Sequence, residues 1–223
     1  MKNSEIQKRI LSSLIITPII IFFIFQDKPL FIFFLVILFL ASCNEWLNMN
    51  TEYRYKILGI LWLFTSFFLA YLLRETFSIE LFLLIIVICV FTDLGGYFFG
   101  KFLKGPKLTK ISPNKTYSGS IGGLICSEIA ATIYIKIIYM YDVTDKFILN
   151  LNGNEYELDI KFFIFVILIS MVSQIGDLII SFFKRRAKIK DTGTILPGHG
   201  GILDRIDGVI FTMPVSYLIF III

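Results

Sequence analysis

IKFFIFVILISMVSQIGDLIISFF, from Ile160 to Phe183, decides the architecture. These 24 residues carry one lysine at the start, one aspartate near the end and almost nothing else that is charged. A helix that crosses a bilayer needs about 20 predominantly apolar residues, and this run supplies them. Its polar members are ordered. Ser170, Ser173, Gln174, Asp177, Ser181 and the following Lys184 share one face of a helix, because residues three, four and seven apart stack on the same side. Ser and Gln alone could make a polar helix–helix contact. An intramembrane carboxylate is expensive unless it has work to do, so Asp177 reads as functional.

The same apolar pattern recurs on both sides of this run. Further spans are expected at Ile10–Phe25, Leu30–Leu47, Ile57–Leu73, Ile79–Gly100, Gly119–Tyr141 and Gly208–Ile223. Across 223 residues the chain is 57% apolar and 17% charged, with 24 Phe and a mean hydropathy of +0.81. Soluble domains sit near 45–50% apolar and ~25% charged, so a soluble enzyme, a disordered chain and a secreted disulfide scaffold are all excluded. The fold expected is an all-α polytopic transmembrane helical bundle of about seven spans, forming a single integral-membrane domain.

Charge sets its orientation. Lys101, Lys104, Lys107, Lys110 and Lys115 lie between spans four and five with no acidic residue. Lys184, Arg185, Arg186, Lys188, Lys190 and Arg205 outnumber Asp191, Asp204 and Asp207 between spans six and seven. By contrast, Asp142–Asp159 holds Asp142, Asp145, Glu155, Glu157 and Asp159 against Lys146. Basic loops stay cytoplasmic, so both basic loops and the N-terminus are expected inside and the acidic loop outside. Lys2, Lys8 and Arg9 before the first span outline a signal peptide, but bulky Phe22–Gln26 offers no cleavage site, so an uncleaved span is expected. A net charge of +4 on such a chain reports topology, and no nucleic-acid partner is expected. Cys43, Cys89 and Cys126 sit in apolar runs without paired spacing and read as small fillers. Asn150, Gly153 and Asn154 mark a turn in the outer loop.

Chemistry concentrates in the loops. After the basic run comes Thr192-Gly193-Thr194-Ile195-Leu196-Pro197-Gly198-His199-Gly200-Gly201, which has four glycines, a proline and the only histidine. Glycines let backbone N–H groups approach phosphate closely, and nearby Lys and Arg supply charge. Gly193-x-x-x-x-Gly198 is not a P-loop, since His199-Gly200 replaces the Lys-Ser/Thr pair and no strand precedes it. Asp204-Arg205-Ile206-Asp207-Gly208 then places two carboxylates beside the glycines. Mg²⁺ uses one or two carboxylates plus substrate phosphates, which suits this grouping; Asp–Arg pairing within the loop is the plainer alternative. Thr92-Asp93-Leu94-Gly95-Gly96-Tyr97 ends span four, and Ser112-Pro113-Asn114-Lys115-Thr116-Tyr117-Ser118-Gly119 opens span five, where a helix N-terminus attracts phosphate. Gly96-x-x-x-Gly100 and Gly119-x-x-x-Gly123 also read as packing motifs. Glu128 in span five and Glu45 at the end of span two are further acidic candidates, equally explained as polar or interfacial contacts.

Together these residues resemble the phosphatidate cytidylyltransferase (CDP-diacylglycerol synthase) family. The signature runs Ser181-x-x-Lys184-Arg185-x4-Lys190-Asp191-x5-Pro197-Gly198-His199-Gly200-Gly201-x-x-Asp204-Arg205-x-Asp207, with every fixed position present. Asp93–Tyr97 is similar to the family's Asp-x-Gly-x-Tyr element and Ser112–Thr116 to its Ser-Pro-x-Lys-Thr element, while Glu45-Trp46 matches a weaker feature. The chain is short for this pattern. The resemblance implies that CTP and phosphatidic acid give CDP-diacylglycerol and pyrophosphate, through in-line attack of phosphatidate on the CTP α-phosphorus. It implies 1–90 as N-terminal spans and 91–223 as catalytic spans and loops. Asp177, Asp204, Asp207, Lys184, Arg185 and His199 become catalytic candidates, with Asp177 and Asp204 as ligands of Mg²⁺, joined by a monovalent cation such as K⁺. Asp93, Ser112, Lys115, Thr116, Ser181, Lys190, Asp191, Gly198, Gly200, Gly201 and Arg205 become substrate contacts. Expected partners are the two substrates, membrane lipids and a second copy of the chain, in the cytoplasmic membrane of a bacterium. The competing reading is a lipid or ion transporter using Asp177 and Glu128. It lacks internal repeats, and a CDP-alcohol phosphotransferase lacks its Asp-Gly-x-x-Ala-Arg motif here.

Overall fold

The computed structural model describes residues 14–109, 111–140, 160–196, 198 and 200–222. The acidic loop after Tyr141, its expected turn, the residues before Leu14, Lys110, Pro197 and His199 lie outside the described residues. Helices form at all seven expected places: α1 (Leu14–Ile24), α2 (Lys28–Asn48), α3 (Tyr53–Thr76), α4 (Ile79–Phe102), α5 (Tyr117–Met140), α6 (Ile160–Arg186) and, after a short α7 (Leu203–Ile206), α8 (Val209–Ile222). Five of them, α2 to α6, are long and apolar enough to cross a membrane, while α1 and α8 are shorter apolar helices. The chain is a multi-pass membrane protein.

The helix ends outrun the apolar runs because polar residues at the ends still make good helix. Lys184, Arg185 and Arg186 extend α6 by its last turn, where cations complement the carbonyl end of the helix dipole. Ser78 caps α4 by accepting from the Leu81 amide at 3.1 Å. Pro29 opens α2, where a missing N–H costs nothing. The four-residue α7 was not legible in the sequence, where it reads only as a charged loop.

Small residues bring α4 and α5 into backbone contact. A Cβ on Gly119 would stand 2.7 Å from the Gly96 carbonyl oxygen, and one on Gly95 only 2.5 Å from that of Gly122. The glycine pairs are therefore packing motifs, as small residues are in membrane bundles generally. On its other face α5 exposes Ile121, Ile125, Ile129, Ile133 and Ile137, an apolar stripe at every fourth residue.

Two apolar cores divide the bundle. One, around Phe31, Leu73, Leu84, Ile88, Phe165, Val166 and Ile169, fills one half and joins α2, α3, α4 and α6. The other gathers Trp46, Met49, Leu63, Ile180, Ala187, Leu203 and Ile210, so it fastens α7 and the start of α8 to the ends of α2 and α6. The Trp46 indole N–H donates to the carbonyls of Tyr55 and Lys56, both at 3.2 Å, and its ring meets Phe183 edge-on at 5.0 Å. This second core holds one end of the bundle, where the α2–α3 turn, the 103–116 loop and the 187–208 loop come together.

Candidate active site at one end of the bundle

The polar face of α6 finds a partner at almost every turn. Ser170 shares a 2.7 Å hydrogen bond with Thr92 of α4. Gln174 accepts from the Ser120 hydroxyl of α5 and donates to its carbonyl at 3.3 Å. Asp177 pairs with Lys115 and accepts from Ser181 at 3.2 Å. Lys184 binds Asp204 at 2.7 Å, with side chains only 12% and 5% exposed. The stripe therefore changes character along the helix. It is a neutral contact within the bundle and an ionic one at the loop end.

Asp204 and Asp177 each have their own lysine. Asp204 Oδ2 also accepts from the Thr192 amide at 2.8 Å, the Gly201 amide at 3.0 Å and the Thr192 hydroxyl at 3.1 Å. Burial alone would raise the Asp204 pKa, but the Lys184 hydrogen bond, those two amides and the Lys184 charge hold it below the ordinary aspartate value. Such a carboxylate closes the loop on itself, with little acceptor capacity left over.

The glycines serve this closure. Gly200 has φ +87°, a conformation that side chains rarely tolerate, and its carbonyl accepts from the Leu196 amide at 2.9 Å. A Cβ on Gly201 would stand 2.2 Å from Thr192 Oγ1 and 2.3 Å from Glu45 Oε2. Gly201 directs its N–H to Asp204 and leaves its empty side to Glu45. His199 lies outside the described residues, while Gly198 is an exposed residue with φ +78°.

Glu45 is the acidic residue that sequence reasoning underrated. Its side chain reaches the loop from the end of α2, with the residue only 2% exposed. Ile202 N–H donates to Oε1, and Leu203 N–H and the Thr192 hydroxyl donate to Oε2, all at 2.8 Å. A separation of 147 residues from Thr192 leaves no local pattern to announce the contact.

The 103–116 loop delivers Lys115. Leu108 N–H donates to the Lys115 carbonyl at 2.8 Å, Lys107 and Thr116 form an antiparallel bridge, and Lys115 N–H donates to the Ser112 carbonyl at 3.0 Å. Thr116 is the cap of α5, accepting from the Gly119 amide at 3.1 Å. A Thr three residues before the first glycine of span five could have signalled this. Ser112 helps through its backbone, while its amide is held by Thr109 Oγ1 at 3.2 Å.

Asp93, Asp177 and Asp207 form the electrostatic centre. Asp93 sits in the second half of α4, within reach of the charges of Asp177, Lys115 and Arg205. Asp207, 8% exposed, has its pKa pushed up by burial and then by the negative charges of Asp177 and Asp93. Among the described residues no group of three or more His, Cys, Asp or Glu is arranged to hold a metal ion. The donors nevertheless fit a hard divalent cation, which needs one or two carboxylates and takes its other oxygens from water and phosphate. Arg185, Lys190, Asp191 and Arg205 are exposed around this centre. Arg186 instead pairs with Glu52 and lies over the Tyr55 ring at 4.8 Å, tying α6 to α3.

These placements separate two basic residues that the sequence treated alike. Lys184→Gln leaves Asp204 without its cation and is expected to cost about 3 kcal/mol, as broken buried pairs do, together with turnover. Arg185 is exposed and, among the described residues, makes a long 3.4 Å contact with the Ile189 carbonyl. Arg185→Gln should shift stability by less than about 0.5 kcal/mol and lower turnover alone. Thermal unfolding in detergent, read beside turnover, separates the two.

What stands at this end is a membrane-protein site of carboxylates and lysines gathered from four separate segments. The chain belongs to the cytidylyltransferase family, whose sequence model matches residues 53–223. A phosphatidate cytidylyltransferase of Rickettsia felis is 34% identical over 222 residues, 97% of this chain and 93% of that protein. One of Rickettsia bellii is 32% identical over 98% of this chain and 92% of its own. One of Staphylococcus haemolyticus is 42% identical over 132 residues, 58% of this chain and 45% of that longer protein. The chain is thus short beside the staphylococcal protein but matches the rickettsial ones almost end to end.

Proposed function

We propose that this protein is a phosphatidate cytidylyltransferase, joining CTP and phosphatidic acid into CDP-diacylglycerol with release of pyrophosphate. The observation that carries the reading is the convergence of Asp93, Lys115, Asp177, Lys184, Asp204 and Asp207 at one end of the bundle, inside a chain of the cytidylyltransferase family. A phosphatidate oxygen attacks the α-phosphorus of CTP. The bond from that phosphorus to the bridging oxygen breaks, and pyrophosphate carries the electron pair away. No protein nucleophile is needed, so the chain's task is to position two anionic substrates and offset their charge.

Asp177, with at most one of its neighbours Asp207 and Asp93, would hold Mg²⁺, the remaining oxygens coming from water and substrate phosphate. Asp204 is less suited to that role than the sequence pattern implied, because its oxygens already serve Lys184, Thr192 and Gly201. The ion when bound neutralises triphosphate charge and eases the departure of pyrophosphate. Lys115 provides a cation from the 103–116 loop, and exposed Arg185, Lys190 and Arg205 draw in phosphates. Lys184 and Asp204 keep the glycine-rich loop in shape. Orientation belongs to the same proposal: the basic loops face the cytoplasm, where CTP is, in the inner membrane of a bacterium.

The transporter alternative finds no support, since Asp177 is engaged by Lys115 at the loop end and the relatives are named as transferases. Purified protein given α-labelled CTP, phosphatidic acid and Mg²⁺ should produce lipid-soluble label that depends on all three. Absence of label under conditions where the protein stays folded would overturn the assignment.

A further inference from the structure

We infer that Glu45 is a positioning residue for the catalytic loop, acting on Asp204 and Lys184 through Thr192 from the end of α2. The inference rests on the cytidylyltransferase reading only for its effect on turnover. Glu45 lies before residue 53, where the family match begins, yet its carboxylate is buried in the loop that carries the signature. Among the described residues, its donors all come from that loop: the Ile202 and Leu203 amides and the Thr192 hydroxyl. The two amides are adjacent and open α7, so Glu45 fixes the direction in which Asp204 leaves the loop. Thr192 Oγ1 stands between two carboxylates, 2.8 Å from Glu45 and 3.1 Å from Asp204. One hydroxyl proton serves one oxygen at a time, so Glu45 and Asp204 share it. The path continues from Asp204 to Lys184 at 2.7 Å.

Space around the carboxylate is cleared on two sides. A Cβ on Gly193 would meet Glu45 Oε1 at 2.7 Å and one on Gly201 would meet Oε2 at 2.3 Å. Trp46, the next residue, is locked to α3 and Phe183, so the end of α2 is a fixed post and not a floating contact. Glu45 touches none of the proposed metal-holding carboxylates in the contacts described, which separates positioning from chemistry. Gln at this position keeps the shape but turns an NH₂ toward a backbone N–H, two donors facing each other.

The test uses the full-length protein in detergent. Glu45→Gln should raise amide hydrogen exchange at Ile202 and Leu203 by about tenfold or more while α4 and α5 exchange as in wild type, and lower kcat/KM for CTP about ten- to a hundredfold. Thr192→Val should lower kcat/KM likewise while exchange at Ile202 and Leu203, whose amides still reach Glu45, rises less, and Thr192→Ser should rescue turnover, because the hydroxyl carries the path to Asp204. Unchanged exchange and turnover in Glu45→Gln would overturn the inference. So would a rise in exchange spread evenly over the bundle, or failure of Thr192→Ser to rescue. If wild-type protein showed no cytidylyl transfer, the enzymatic reading would fall while the exchange data still judged Glu45.

Discussion

Asp177→Asn is expected to lower cytidylyl transfer on the order of a thousandfold, the scale on which removing a central electrostatic group acts, while the protein inserts and purifies as before. Asn preserves the volume and can still accept from Ser181, so α6 should keep its packing. What disappears is the negative charge that pairs with Lys115 and presses on Asp207. Mg²⁺ held at these carboxylates, as proposed, would stabilise the folded wild-type protein by linkage, and that stabilisation should vanish in the variant. Turnover and thermal unfolding, each with and without Mg²⁺, check both parts. A variant with wild-type turnover and an intact Mg²⁺ response would remove Asp177 from the site.

The second large effect comes from one added methyl group. In Gly201→Ala the new Cβ must displace Thr192 Oγ1 or Glu45, and neither can retreat without giving up buried hydrogen bonds. Overpacking of this kind costs about 1–3 kcal/mol, here concentrated on the loop. Turnover should fall about a hundredfold, with a smaller change in global unfolding, since the apolar core of α4 and α6 is untouched. Gly96→Ala makes a useful comparison. A Cβ there would stand an ordinary 3.8 Å from the Gly119 carbonyl oxygen and should be tolerated. Equal losses in the two variants would contradict the assignment of Gly201 to loop closure.

The bundle was legible because a bilayer imposes length and apolarity on each span, and those are local properties. The α6 stripe was legible for the same reason. Its spacing placed Ser170, Gln174, Asp177 and Lys184 on one face, and they do meet Thr92, Ser120, Lys115 and Asp204. The partners themselves were not readable, since each comes from another helix or loop. Pairing Asp177 with Asp204 through shared motif membership missed that each is matched to a separate lysine. The glycine-rich loop reads in the sequence as shaped, and the structure adds a reason at Gly201 that the sequence does not carry. Close approach is needed there to an internal carboxylate. Glu45 illustrates the limit most clearly: an acidic residue at a helix end looks interfacial until a loop more than a hundred residues away folds over it.

The loop end of the bundle, between Asp93, Lys115, Asp177 and the 191–208 loop, is the proposed seat of the CTP triphosphate. The most direct measurement is an experimental structure of the protein in lipid with CTP and Mg²⁺ bound. The account predicts triphosphate density against Lys115 and Asp177 with the Glu45–Thr192–Asp204 contacts intact. Density elsewhere, such as beside Glu128 within α5 or at the end of the bundle marked by Lys28 and Arg74, would contradict it.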